Sequence, residues 1–93
     1  MPKPKVLHLT LEREWFDQIA KGVKRKEYRE YKPYWKSRLE GRTFDLILFR
    51  NGYASNAPEI LVEYRGLRRD GKRRRYVIRL GRVLKTKRWR PQD

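Results

Sequence analysis

Residues 59–80 read EILVEYRGLRRDGKRRRYVIRL, and this stretch carries the clearest fold signal in the chain. Apolar side chains recur along residues 59–68 and again along residues 73–80, which predicts two strands. Asp70 and Gly71 lie between them, and Gly, and to a lesser degree Asp, tolerates the positive φ of a tight turn. The stretch therefore predicts an antiparallel β-hairpin.

The segments on either side of the hairpin predict further strands. Gly81 is expected to break the second strand, so that residues 82–87 form a possible last strand of their own. Upstream, the short apolar run at residues 46–49 predicts a strand that is buried on both faces. Residues 51–58 hold Asn, Gly, Ser and Pro in close order and are therefore expected to form a loop.

The N-terminal part of the chain changes its hydrophobic period. Residues 6–11 alternate apolar and polar side chains and predict a first strand. Residues 12–21 then predict a helix, because their apolar residues share one helical face. Gly22 stands where that helix would end in a left-handed conformation.

Two short elements complete the pattern. Residues 24–29 predict an extended segment, and Pro33–Leu39 predicts a second helix, because proline has no N–H to lose in a first turn. Gly41 is expected to end that helix. Five to six mostly antiparallel strands with two short helices predict a small, partly closed β-barrel of the α+β class. The crossovers that a parallel sheet requires are not expected in this pattern.

The length of the chain fits one domain. It has 93 residues, of which 13% are aromatic, and this argues against disorder although 40% are charged. We therefore expect a single domain over residues 1–93. Its tail, residues 88–93, is expected to be frayed, although Trp89 could anchor it.

The positive charge of the protein is large and unevenly distributed. The formal net charge is +15, from 26 basic and 11 acidic residues, and a polyanionic partner would relieve the resulting self-repulsion. Asp70 is the only acid in residues 65–90. The basic residues of that span are Arg65, Arg68, Arg69, Lys72, Arg73, Arg74, Arg75, Arg79, Arg82, Lys85, Lys87, Arg88 and Arg90. The densest group, residues 68–75, falls at the tip of the predicted hairpin.

This polarised charge favours nucleic acid as the partner, with RNA preferred to DNA. An Arg-rich hairpin can bind phosphates through forked hydrogen bonds, and such contacts position a nucleic acid without specifying its sequence. A basic surface that only maintains solubility is the alternative interpretation. An anionic membrane is a weaker one, because the sequence holds no amphipathic helix with a long apolar face.

Composition excludes several kinds of site. The chain has no cysteine, which excludes disulfides, thiolate zinc sites and cysteine nucleophiles. His8 is the only histidine, which excludes a site with several histidine ligands, and we expect neither a metal nor another cofactor. No apolar run approaches the length of a membrane span, so a cytoplasmic protein without membrane contact is expected. The charge argues for a monomer.

The aromatic side chains fall into two groups. The residues that periodicity assigns to the core are Trp15, Phe16, Phe44 and Phe49. The second group lies among basic residues or in the predicted loop, and comprises Tyr28, Tyr31, Tyr34, Trp35 and Tyr53. These rings could stack on unpaired bases, or they could cover the ends of the barrel with their polar groups in water.

Residues 22–29 read GVKRKEYR and resemble the G-x-K-x-x-E-x-R signature of the ASCH family, a branch of the PUA-like superfamily. The helix before the motif, residues 49–64 and residues 76–81 also resemble small phage and bacterial members of that family. The resemblance implies a PUA-like β-barrel with one or two helices and a cleft beside the motif, in a superfamily that commonly binds RNA. It also implies possible activities, since some members are reported as amidohydrolases acting on N4-acylated cytidine and others as ribonucleases.

One departure from the family pattern concerns the amidohydrolases. That branch carries a threonine nucleophile three residues after the motif lysine, and here the position is Glu27. The motif contains no Thr or Ser, although Glu63 could match the catalytic carboxylate of that branch. Hydrolysis of N4-acylcytidine is therefore the less favoured activity.

The motif combines two cations, Lys24 and Arg29, with the carboxylate of Glu27. In an extended segment Glu27 and Arg29 would share one face and Lys24 the other, so a bend would be needed to join all three. Arg29 could hold a phosphate or pair with Glu27, and Lys24 could bind phosphate or act as a base. The alternative is a structural ion-pair cluster that closes the barrel mouth.

The function expected from these observations is RNA binding, through the basic surface and the cleft at the motif. The residues expected to bind nucleic acid are Lys24, Lys26, Arg29, Asn51, Tyr53, Arg68, Arg69, Arg73, Arg74 and Arg75. A metal-independent ribonuclease is the second hypothesis, with Lys24, Glu27 and Tyr53 as catalytic candidates and His8 as a weaker general base. A module that docks on an acidic protein remains a further alternative.

Overall fold

The computed structural model describes residues 3–90. Seven helices and strands follow one another along these residues. They are β1 (Val6–Thr10), α1 (Arg13–Ala20), β2 (Lys26–Glu30), α2 (Pro33–Leu39), β3 (Leu46–Arg50), β4 (Glu59–Asp70) and β5 (Arg75–Lys87). Both predicted helices are present, and the bounds of α2 agree with the prediction.

The strands form one curled, five-stranded sheet in the order β1-β3-β4-β5-β2, a half-barrel rather than a closed one. Neighbouring strands are antiparallel except β1 and β3, which are parallel and pair Val6 with Leu46. The expectation that no parallel crossover exists was therefore wrong. Residues 11–45, which contain α1, β2 and α2, make that crossover.

The long β4–β5 hairpin curves because its pairing register shifts at several points between Leu61 and Gly66. Irregularities of this kind bend a strand and increase its local twist. Gly81, which was expected to end the second strand, instead lies within β5, so the prediction of a separate strand at residues 82–87 was wrong. A Cβ at Gly81 would lie 2.9 Å from the Cβ of Glu63 and 2.5 Å from Nε of Arg65, so a larger residue here would require these β4 side chains to shift.

The concave face of the sheet and the apolar faces of both helices enclose the core. Its fully buried side chains include Phe16, Ile19, Leu39, Ile47, Phe49, Ile60, Val62 and Ile78. The prediction that residues 46–49 are buried on both faces was only half right. Ile47 and Phe49 point into the core, whereas Leu46 and Leu48 are half-buried on the other face.

Trp15 is the one predicted core aromatic that the structure leaves outside. It is 41% exposed, whereas Phe16 beside it is fully buried. Phe44 is half-buried and packs edge-on against Tyr64, with ring centroids 5.5 Å apart. The helix α1 has only eight residues, and Trp15 falls at the margin of its apolar face.

The first residues of the tail that was expected to be frayed are anchored. The Arg88 guanidinium donates hydrogen bonds to the carbonyls of Asn56 and Ala57. Nε1 of Trp89 donates to Oδ1 of Asp17 at 2.9 Å, which joins the tail to α1, as the role suggested for Trp89 requires. Residues 91–93 lie outside the described part of the chain.

Asp17 connects this anchor to the helix, because the same Oδ1 also accepts a 2.8 Å bond from Nε of Arg13. The hydrogen bond from Trp89, and secondarily the Arg13 guanidinium, lower the pKa of the Asp17 carboxyl. Neither helix in residues 3–90 has the length and hydropathy that crossing a bilayer would require.

Asp17→Asn should lower the free energy of unfolding by roughly 1–2 kcal/mol at neutral pH, because the charged acceptor of two hydrogen bonds is lost. The native contribution is present above the unfolded pKa of 3.8 and disappears as the pH falls through the lower folded pKa. As the pH falls through the folded pKa of Asp17, the free energy of unfolding should therefore decrease more for the parent protein than for the variant. Urea unfolding at several pH values measures both effects. Glu14→Gln, on the exposed side of the same helix, is the control and should change stability by less than about 0.5 kcal/mol; equal effects would contradict the anchor.

Candidate nucleic-acid interface

The turn after α1 delivers the motif residues to the edge of the sheet. Gly22 adopts a left-handed conformation with φ of +78°, as its position after the helix predicted. The amides of Val23 and Lys24 both donate to the carbonyl of Gln18, at 2.9 and 3.0 Å, and this closes the turn. Lys24 therefore precedes β2, and the alternation of side chains along the strand does not apply to it.

The turn brings all three charged motif residues together. Nζ of Lys24 lies 3.9 Å from Oε1 of Glu27, and a guanidinium nitrogen of Arg29 lies 3.1 Å from Oε2. The bend that was expected to be necessary for all three to meet is present in the turn that begins at Gly22. The motif thus forms one cluster, with the carboxylate between the two cations.

Glu27 is the centre of this cluster and is only 6% exposed. Its Oε1 also accepts a 2.8 Å hydrogen bond from the backbone N–H of Tyr28. Arg29 is fixed in turn by a bond to the carbonyl of Thr10 and by the ring of Trp35, whose centroid lies 4.8 Å from its guanidinium carbon. A carboxylate that accepts two hydrogen bonds and pairs with a second cation is suited to positioning its neighbours.

A cleft of about 690 Å³ opens beside the cluster. Its lining residues are Thr10, Leu11, Glu12, Trp15, Lys24, Glu27, Tyr28, Arg29 and Glu30. Three of these are acids and two are cations, so the cleft itself has no excess of positive charge. This balance disfavours a bare phosphate in the cleft and suits groups that donate hydrogen bonds to carboxylates.

Two exposed aromatic side chains stand at the mouth of the cleft. The ammonium of Lys24 lies 5.4 Å from the ring centroid of Trp15 and 4.7 Å from that of Tyr28. Tyr28 was predicted as a possible stacking residue, whereas Trp15 was missed because helical periodicity assigned it to the core. The signal that could have found Trp15 is its place seven residues before the motif glycine, on the helix that leads into the motif.

Tyr28 also joins the cleft to the hairpin. The guanidinium carbon of Arg75 lies 3.9 Å from the centroid of the Tyr28 ring, which the ammonium of Lys24 also approaches. Lys26, two residues earlier on the same edge strand, is exposed and pairs in register with Arg79. Cations from two strands therefore continue from the cleft onto the sheet.

The hairpin tip combines paired and unpaired arginines. The buried carboxylate of Asp70 accepts the N–H of Arg73 at 3.3 Å and pairs with Arg73 and Arg75, each at 3.5 Å. The Arg73 backbone bond is the main cause that lowers the pKa of Asp70. Arg69 pairs with Glu40.

Two other arginines of the tip are free. Arg68 and Arg74 are exposed and form no ion pair with any residue in the described range 3–90. Their positive charge, like that of the exposed Lys72, is not compensated by an ion pair within residues 3–90 and is available to an anionic partner.

The loop residues Asn51 and Tyr53 lie beside the cleft rather than in it. Nδ2 of Asn51 donates a 3.0 Å bond to the carbonyl of Leu11, which holds the loop against one cleft wall. Tyr53 is 88% exposed and is not among the residues that line the cleft. Asn51 thus has a positioning role, and Tyr53 is not brought to the Lys24 cluster.

The two weaker catalytic candidates also lie apart from the cluster. His8 is exposed on the outer face of β1, where it pairs in register with Leu48. Glu63 accepts the N–H of Arg82 at 2.9 Å and a bond from Arg65, and chiefly the first of these lowers its pKa. Neither side chain lines the cleft.

Comparisons of the chain with protein-family models, with curated proteins and with solved structures found no match. The ASCH resemblance therefore stays a prediction from the motif and its flanking segments. Within residues 3–90, no group of three or more His, Asp or Glu side chains is arranged to hold a metal ion.

Glu27→Gln should lower the free energy of unfolding by roughly 1–3 kcal/mol, because it leaves Lys24 and Arg29 without their shared carboxylate. The control is Glu30→Gln on the same strand, which removes the same charge from a side chain that is 74% exposed. It should change stability by less than about 0.5 kcal/mol. Urea unfolding of both variants measures the difference, and equal values would rule out a central role for Glu27.

Proposed function

We propose that this protein is a PUA-like domain of the ASCH type that binds RNA as a monomer. The observation that carries the proposal is the junction at Tyr28, whose ring centroid lies 4.7 Å from Nζ of Lys24 in the cleft and 3.9 Å from the guanidinium carbon of Arg75 in the hairpin. A single strand could follow this junction with its phosphates on the hairpin and one nucleotide in the cleft. Basic tracks combined with aromatic platforms are the usual means of holding unpaired strands.

The hairpin tip and the cleft differ in charge and therefore suit different parts of a nucleotide. The exposed guanidinium groups of Arg68 and Arg74 pair with no carboxylate of residues 3–90 and suit phosphate oxygens. The cleft instead has an excess of acids, including the exposed Glu12 and Glu30, and suits the base and the sugar. Lys24 therefore serves as a polar contact for a base, rather than as the phosphate ligand that its charge alone suggested.

Trp15 supplies the main stacking surface in this proposal, with Tyr28, which already contacts Arg75, beside it. Both rings are exposed, and both line the same cleft. A base stacked on either ring typically contributes about 1–3 kcal/mol, whatever its identity. The resulting binding is expected to tolerate many sequences.

The acidic lining also favours RNA over DNA. A ribose 2′-hydroxyl can donate a hydrogen bond to a carboxylate, and deoxyribose lacks that donor. The exposed carboxylate of Glu12 is the acceptor that remains available in the cleft, because Glu27 is engaged by its own cluster and Glu30 pairs with Lys32.

RNA affinity should fall as salt rises, and Arg68→Ala with Arg74→Ala should reduce that dependence. The slope of log affinity against log salt should become less steep by about 1.4, since each phosphate contact to a single strand contributes roughly 0.7. A fluorescent single-stranded RNA, its duplex and the matching DNA, each titrated at several salt concentrations, provide the measurement.

The matched control for this experiment is Lys3→Ala with Lys21→Ala, which removes the same charge from exposed sites outside the hairpin. It should weaken binding less and leave the slope nearly unchanged. Equal effects of the two double variants would show a diffuse attraction without a defined site. RNA binding that ignores salt would remove the electrostatic part of the proposal altogether.

A metal-independent ribonuclease is the second candidate, and the Lys24–Glu27 pair in an open cleft favours it. Cleavage needs a group that accepts the 2′-hydroxyl proton and a cation beside the phosphate. Lys24 could supply the cation. The position of Tyr53 outside the cleft and the engagement of Glu27 make this candidate weaker than binding alone.

Incubation with RNA in the presence of a chelator separates these two candidates. The binding proposal expects intact RNA on a denaturing gel after saturation. Chelator-resistant cleavage that disappears in Lys24→Ala but persists in Lys21→Ala would establish the ribonuclease instead. Cleavage that persists in both variants would identify a contaminating nuclease.

A further inference from the structure

A second cleft follows the first along the chain and shares no lining residue with it. Glu30 lines the first cleft, and the next residue, Tyr31, lines the second. The second cleft encloses about 710 Å³ between α2 and the tip of the β4–β5 hairpin. Its lining residues are Tyr31, Lys32, Pro33, Lys36, Glu40, Arg69, Gly71 and Tyr76.

The polar centre of this cleft is Glu40. The buried hydroxyl of Tyr76 donates to its Oε2, and this bond is the main cause that raises the pKa of Tyr76 to about 12. Arg69 approaches Oε1 only at 3.5 Å, and the Glu40 side chain keeps 28% of its surface exposed. Tyr76 thus fixes the carboxylate in place, while Oε1 retains the capacity to accept further hydrogen bonds.

The walls of the cleft are flat and largely apolar. The ring of Tyr31 packs against that of Tyr76, with centroids 4.8 Å apart, and Pro33 continues the wall. Gly71 contributes backbone without a side chain on the hairpin side. A planar ring could enter beside Tyr31 with its edge towards Glu40.

Cations surround the opening of the cleft. Lys36 and Arg69 are exposed at its rim, whereas Lys32 is already paired with Glu30 at 3.1 Å. The cleft therefore combines an aromatic wall, one fixed carboxylate and two cations at its rim. These are the groups that a nucleotide needs for its base, its hydrogen-bonding edge and its phosphate.

We propose that this second cleft binds a nucleotide whose base presents N–H donors to Glu40, with its phosphate held by Lys36 and Arg69. A carboxylate only accepts hydrogen bonds, so it selects base edges by their donors. Guanine fits best, because its N1–H and exocyclic amino group are adjacent donors. Adenine and cytosine offer one amino group each, and uracil offers a single N–H between two carbonyls. This site goes beyond the RNA interface and does not depend on it.

The test is a titration of the ¹⁵N-labelled full chain with the four ribonucleoside 5′-monophosphates and with guanosine, followed by NMR. Guanosine 5′-monophosphate should bind at least about tenfold more tightly than uridine 5′-monophosphate, as good base-edge pairs discriminate. It should shift the amide signals of Tyr31, Lys36 and Gly71 more than those of Lys24 and Glu27. Equal affinities for all four nucleotides, or shifts confined to the first cleft, would overturn the proposal.

Two pairs of variants make the test specific. Glu40→Gln should remove the preference for guanine, whereas Glu14→Gln removes the same charge elsewhere and should preserve it. Lys36→Ala leaves the Glu40–Tyr76 contact intact and should abolish the advantage of the monophosphate over guanosine. Lys21→Ala should keep that advantage. The proposal is wrong if either control behaves like its partner variant in a chain that remains folded by NMR.

A competition arm identifies the source of the nucleotide and separates this site from the RNA interface. Displacement of guanosine 5′-monophosphate by a guanosine-containing single strand, but not by a uridine-only strand, would assign the site to a strand nucleotide. Binding without displacement would assign it to a free nucleotide. If guanosine 5′-monophosphate binds as proposed but RNA binding shows no dependence on salt, only the RNA interface is refuted. The reverse result would refute only the second cleft.

Discussion

The antiparallel pairing of β4 with β5 is the constraint on which the rest of the structure depends. These strands have 12 and 13 residues, and their register shifts curl the sheet into a half-barrel. Residues 75–79 of β5 pair with β4 on one edge and with β2 on the other. This double pairing places the motif on β2 beside the hairpin, where Lys24 and Arg75 lie near the same tyrosine, Tyr28.

The protein manages its excess positive charge by using each well-placed acid more than once. Glu27 bonds to two cations and a backbone N–H, and Asp70 does the same at the hairpin tip. Asp17 joins an arginine of its own helix to the Trp89 indole. Compensation is thus concentrated at points that hold the fold together. Exposed cations such as Arg68 and Arg74, which form no ion pair within residues 3–90, stay uncompensated on the surface, where a polyanion can reach them.

Local signals in the sequence predicted most of the elements and little of the assembly. Pro33 and Gly22 define helix ends through their own backbone preferences, so these boundaries could be read from neighbouring residues alone. The parallel pairing of β1 with β3 could not, because it depends on which strands meet after a long crossover. Gly81 misled the prediction, since a glycine that breaks a strand and one that permits close packing look alike in sequence.

The candidate site shows the same limit. The alternation of side chains holds only within a strand, and Lys24 lies in the turn that precedes β2, so the rule could not give its position. Helical periodicity assigned Trp15 to the core. In the eight-residue helix α1, however, Phe16 and Ile19 are buried and Trp15, at the margin of the apolar face, is exposed. The contact of Glu40 with Tyr76 joins residues far apart in sequence, so no local pattern indicated the second cleft.

The pairing of β2 with β5 has a consequence for the nascent chain. Residues 26–30 leave the ribosome well before their partner strand, which begins at Arg75, so β2 must wait unpaired during synthesis. A waiting strand can pair with another copy of the chain and aggregate. The sequence KEYRE counters this hazard, because four of its five side chains carry charge. The ionic residues that form the site in the folded protein thus also keep the unfinished chain soluble.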